Sequence, residues 1–286
     1  LDNWPFEAKT AIIEALDIVE ATIEIENLMT VGVIWSGDLN EYSTLAETYT
    51  KFGSIQTRGK FSILDDTYKY PRELLNQITG EFDGENIVMA FNAKKDWNYP
   101  KEQEPNIHQQ DLITVCLNEI LHGLGISSSF TKSNESKPYI YDQYIVDDNG
   151  VAIIDYPTEN SQQNALRSDN VFYNGPNILD INDGEPLKLY APNHFSGASI
   201  CHLDRQYQHD EKGNLLIPGT NYGQSNRYFG EYVLAILEDL GWHIKVDYKS
   251  VPDKTENIEE DMIQVYTQGN TIHITNPSSR LMHIRI

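Results

Sequence analysis

The stretch DLITVCLNEILHGLG, residues Asp111 to Gly125, decides how the chain is read. Its apolar residues recur at three-to-four spacing, Asp111 offers an N-cap, and glycines stand at its end, so the pattern predicts a helix over 111–123. Residues four apart on a helix lie on one face, so Asn118 and His122 share a face and Glu119 points beside it. Two imidazoles at that spacing can grip one zinc ion, while the glutamate after the first takes a proton from the metal-bound water. Here the first of the two positions holds Asn118 instead of a histidine.

Working outward, the residues between Pro5 and Ile25 carry apolar side chains at helical spacing with acids between them. MTVGVIW (29–35), KFSIL (60–64) and NIVMAFN (86–92) read as strands, and Pro71 to Ile78 as a short helix opened by its proline. From Ser127 to about Pro192 the chain reads as strands and loops. Within it YIYDQYIV and VAIID form an expected hairpin about the Asn149-Gly150 turn. FGEYVLAILEDL (229–240), closed by Gly241, predicts a third long helix. Past Val246 a charged linker leads to TIHIT and LMHIRI, whose alternation predicts strands. No internal repeat is present. The expected class is α+β, with a twisted mixed sheet, three main helices and a short C-terminal β tail.

The 286 residues hold 21 Lys and Arg against 43 Asp and Glu, a net charge of −22 that repels phosphate backbones, so no nucleic acid partner is expected. No apolar run is long enough to span a membrane. The chain opens at Leu1 without a basic-then-apolar leader, and removal of a targeting peptide is the expectation. Two cysteines permit one disulfide at most. Cys116 lies two residues before Asn118, about 200° round the helix, and should face the core; Cys201 adjoins His202, and pairing between the two stays open.

Four features follow in order: E-x-x-H-G-L-G from Glu119, His202-Leu203-Asp204, NLLIP (214–218) and YVLAILEDLGW (232–242). With them the chain resembles the metzincin zinc proteases, and among these the leishmanolysin-like subgroup, in which a long insertion precedes the third histidine. The likeness is clear over about residues 106–245. It implies a metzincin-like fold with a substrate cleft, zinc held by His122, His202 and the residue at 118, Glu119 as general base, and hydrolysis of peptide bonds. It also implies an N-terminal subdomain over 1–125 and a C-terminal one over 126–245, with linker and tail over 246–286. Leu216 stands where the subgroup's methionine turn has its methionine. The tail from Gly269 is similar to the opening of sorting domains that route cargo through type nine secretion, so a secreted or cell-surface monomer acting on peptides or proteins is expected.

Asn118 departs from that pattern. A carboxamide oxygen is a weak, hard donor better suited to calcium or magnesium than to zinc, so zinc binding and proteolysis are expected to be weakened or lost. Leu216 only changes the apolar floor. One alternative is an active zinc metalloendopeptidase with unusual ligation, through Asn118, His108, His194 or Cys201. A second is a non-enzymatic surface module that binds through Ser127–Ala191 and the tail. Calcium in the Asp/Asn-rich loop Asn177–Glu185 is a further candidate.

Overall fold

In chain order, the N-terminal half sets helix α1 (Phe6–Thr22), strands β1 (Thr30–Ser36) and β2 (Ala46–Thr50), helix α2 (Arg72–Thr79), strand β3 (Ile87–Asn92) and helix α3 (Leu112–Gly123). The structure is a computed structural model that describes residues 4–39, 44–54, 64–81, 84–131 and 135–249, with the strands 264–268, 271–276 and 280–285 as backbone. It is a mixed α+β arrangement.

Helix α1 buries Ala8, Ala11, Ile12, Ala15, Leu16 and Val19. Its alanines let the backbone come close to α3, against which it packs. Strands β1 and β3 run parallel in register from Val31↔Ile87 to Ser36↔Asn92, and β3 is buried along almost its whole length. On the other side of β3 lies β2, antiparallel, with Ala46↔Phe91 and Thr50↔Ile87 at its ends. The sequence reading missed β2: AETYT is half exposed and polar, because an edge strand buries only one face against the helix above it. Beneath α3, a Cβ on Gly123 would meet Ile87 Cγ2 at 2.7 Å, so the bare glycine lets the helix end close down on β3. Gly125 then turns the chain at φ 113°, where only glycine rests easily.

The second half is irregular, with short elements: β4 (Ile145–Asp147), α4 (Glu159–Ala165), β5 (Val171–Tyr173), α5 (Pro176–Ile181) and β6 (Leu187–Lys188), before the longer α6 (Glu231–Leu240). The three strands form an antiparallel sheet in the order β6-β5-β4. The expected hairpin shrinks to a single bridge, Val146↔Ala152. Asp147 Oδ1 accepts from the Asn149 and Val151 amides and forms the turn. The flanks, however, coil into 3-10 turns at Ile140–Tyr144 and Ile153–Asp155, and β4 pairs with β5 instead. Helix α6 ends at Gly241 in the left-handed region, as its spacing predicts. Trp242 Nε1 donates to Leu124 O at 2.8 Å and fastens it to the end of α3.

In the tail, β7 (Gln264–Gln268), β8 (Thr271–Asn276) and β9 (Arg280–Arg285) form a meander, and β9 joins β1 in parallel, giving a six-stranded mixed sheet ordered β7-β8-β9-β1-β3-β2. All of the strand expected at Lys60–Leu64 except Leu64, and most of the linker, lie outside the described residues. Cys116 and Cys201 are both buried and are not joined by a disulfide, so the pairing left open by the sequence is not formed. Among the described residues no helix is long and apolar enough to cross a membrane.

Candidate functional site

Asp111 caps α3 as its residue type predicts, its side chain accepting from the Thr114 amide, and it also holds Arg227 in a 2.6 Å ion pair. The helix so fixed carries Asn118, Glu119 and His122 toward the second half of the chain. His202 arrives from eighty residues on, and the two imidazoles meet with ring centroids 4.8 Å apart at 66°. The structure therefore brings His122 and His202 together across the fold.

Each ring is tethered through the same atom. His122 Nδ1 lies 2.8 Å from Ile126 O, and His202 Nδ1 lies 2.9 Å from Ala198 O. A carbonyl can only accept, so each Nδ1 carries the hydrogen. Each Nε2 is then the nitrogen left for other work, which is the tautomer that metal-ligating histidines commonly show. His202 is 8% exposed; burial, and next the neighbouring His122, push it down to about 3, so it is a neutral imidazole at any ordinary pH.

The backbone around His202 is stitched into place. Tyr190 N donates to His202 O at 2.9 Å, and Leu203 N donates to Leu216 O at 2.8 Å. Ile200, two residues before, sits at φ 73°, a conformation that a β-branched residue adopts only under constraint. The constraint is visible: Ile200 N donates to Tyr190 O at 2.8 Å, and the Tyr141 hydroxyl donates to Ile200 O at 3.0 Å.

Glu119 is buried beside His122. Thr48 Oγ1, on β2, lies 2.7 Å from Glu119 Oε2 and 3.1 Å from Glu119 O, so its one proton is placed between two acceptors. Two residues along the same strand, Thr50 Oγ1 donates to His122 O at 3.1 Å. Side chains two apart share a face of a strand, and this face grips α3 at both functional positions. Burial raises the Glu119 carboxyl, with His122 and the Thr48 hydrogen bond pulling the other way. Neither threonine was singled out in the sequence. The alternation in the edge strand was the signal that could have found them.

Asn118 turns its amide to Leu215 O, donating through Nδ2 at 2.9 Å. Leu215 and Leu216 form the buried 3-10 turn that runs beneath the helix. The donor set fits a firmly held zinc ion poorly: two imidazoles converge, and the third position is an amide already engaged with a carbonyl. Among the described residues no three His, Cys, Asp or Glu side chains stand together in a metal-holding group. His108 and His194, the other histidines considered, lie exposed on loops.

The matched family spans residues 7–176, and so takes in α1, the β1–β3 sheet strands and the helix with Glu119 and His122. The chain belongs to the SPBPB7E8-like family. No curated protein matches it. No solved structure matches it either. The family span stops short of His202 and α6, so the convergence of the two histidines is a property read from this chain's own geometry.

Proposed function

We propose that the chain is a peptidase-fold protein of metzincin type, akin to the leishmanolysin-like subgroup, that has lost most or all of its zinc affinity and hydrolytic activity and keeps its cleft for binding peptides. One observation carries this: two imidazoles eighty residues apart meet at 4.8 Å with matching Nδ1 tethers, a buried carboxylate neighbours His122, yet the remaining ligand position holds an amide turned to Leu215 O. Supporting it is the order of segments, helix, distant histidine, apolar turn and closing helix, which follows the resemblance drawn from the sequence. If a zinc ion is loaded, His122 and His202 would hold it, and it would supply an activated water. Without it, the chain's own residues offer a neutral imidazole at His202, a carboxyl at Glu119 steadied by Thr48, and the edge of β2, the last strand of its sheet among the described residues, as a place to lay an extended peptide. In this reading the protein works outside the cell, on the likeness of its tail to secretion sorting domains.

The test is metal content and casein cleavage of the purified protein beside an Asn118→His variant. The wild type should carry no stoichiometric zinc and cleave nothing, and the variant should gain zinc. Stoichiometric zinc with chelator-sensitive cleavage in the wild type would overturn the proposal.

A further inference from the structure

Away from the histidine pair, the chain between the 3-10 turns and the start of α6 faces the segment 246–248 across an open cleft of about 480 Å³. That volume suits a single long side chain or a small ligand. Asn118, Glu119, His122 and His202 are not among the residues that line it. Its back wall is built tightly: a Cβ on Gly230 would meet Glu211 O at 2.3 Å and Lys212 O at 2.4 Å, and Tyr232 N donates to Lys212 O at 2.9 Å. Among the described residues, four acids, Asp210, Glu211, Glu231 and Asp247, line it against one base, Lys212, with phenol and phenyl rings and Leu234 between them.

Twice at this end of the molecule a lysine of the chain itself sits between an aromatic face and a carboxylate. Lys212 Nζ stands 5.7 Å from the Tyr232 ring centroid and 3.2 Å from Glu231 Oε2. Lys249 Nζ stands 5.6 Å from the Tyr248 centroid and 3.1 Å from Glu238 Oε2. A third such setting exists without its cation. Tyr228 is 45% exposed and lines the cleft together with Asp210 and Glu211, whose carboxylates, after burial, push its phenol upward. Among the described residues no cation stands over its ring and Glu211 has no ion pair. An ammonium held over a ring beside a carboxylate is stabilised by both.

We propose that this cleft accepts a lysine side chain from a partner polypeptide, its methylenes along Phe229 and Leu234 and its ammonium between the Tyr228 ring and the carboxylates of Asp210 and Glu211. The site is independent of the histidine pocket, and the net charge of −22 draws a basic partner toward it.

Fluorescence anisotropy with a labelled peptide carrying one lysine among serines and glycines, beside its norleucine counterpart at physiological salt, tests the proposal. The lysine peptide should bind better than the norleucine one. Tyr228→Leu, and Asp210→Asn with Glu211→Gln, should each weaken it by about fivefold, while Tyr228→Phe keeps it. Asp148→Asn with Glu159→Gln removes the same charge from a remote surface and should change little. Equal weakening by that remote pair, or no preference for lysine, would overturn the proposal and leave only bulk charge attraction.

Discussion

The two histidines of the pocket are held by the same device in opposite kinds of structure. Each Nδ1 meets a carbonyl four residues away, downstream at Ile126 for His122 and upstream at Ala198 for His202. His122 stands on a regular helix, where its position follows from hydrogen bonds along one segment. His202 stands on a loop whose left-handed Ile200 is kept in place by Tyr190 and Tyr141, groups distant in sequence. A helix places a side chain by local rules, whereas a loop does so only through the long-range contacts that over-determine it.

The sharpest way to break the loop side is through Asp142. This fully buried carboxylate accepts from Ser128 Oγ at 2.6 Å, Ser129 N at 3.1 Å, Ser129 Oγ at 2.6 Å and Tyr139 N at 2.8 Å. It thereby fixes the 3-10 turn that carries Tyr141. Asp142→Ala leaves several buried donors unpaired and should cost about 4 kcal/mol in urea unfolding. A loss below about 1 kcal/mol would mean the turn is held by something else.

Next in size is the helix side. Gly125→Ala puts a methyl at φ 113°, 2.4 Å from Pro71 Cγ, and should cost about 2 to 3 kcal/mol. Because the strain falls just past His122, the variant should disturb that ring's NMR signals more than those of His202. Tyr141→Phe is milder, about 1 kcal/mol, and should do the reverse, releasing Ile200 O and moving the His202 signals first. Equal disturbance of both rings in either variant would erase the contrast between helix and loop.

The same contrast governs what could be read from sequence. Apolar spacing and caps located α1, α3 and α6 to within a few residues, and β1 and β3 as buried β-branched runs, because those signals are local. Glu119 and His122 were legible as neighbours on one helix face, and His202 only through the resemblance. Thr48, Thr50 and Tyr141 were not legible. Their roles arise from pairing across 71, 72 and 59 residues, and no local period encodes that. The 3-10 turns that replaced the hairpin follow the same logic, since Asp142 reaches back to Ser128 and Ser129 and bends its flank away from a strand.

The smallest expected effect is a change of slope with pH. Asp239 on α6 is pushed up to about 6, chiefly by burial and further by Glu238, while the Asn177 donors pull against it. Its unfolded value is 3.8, so the native state holds a proton more tightly between about pH 4 and 6, and stability falls as pH rises through that window. Asp17, also pushed up to about 6, acts in the same sense. His202 acts in the opposite sense: its imidazole is pushed down to about 3, so acid favours the unfolded chain, and stability rises with pH until the ordinary value of 6.5 is passed. The buried acid and the buried imidazole therefore offset each other in wild type. Asp239→Asn retains an oxygen for Asn177 and removes one side of that balance. Its unfolding free energy, compared with wild type at pH 4.5 and pH 7, should gain on wild type by on the order of 1 kcal/mol at the higher pH. Parallel profiles would show that Asp239 ionises in the fold as it does in the unfolded chain, and that the loop-borne histidine is not balanced by the helix-borne acid.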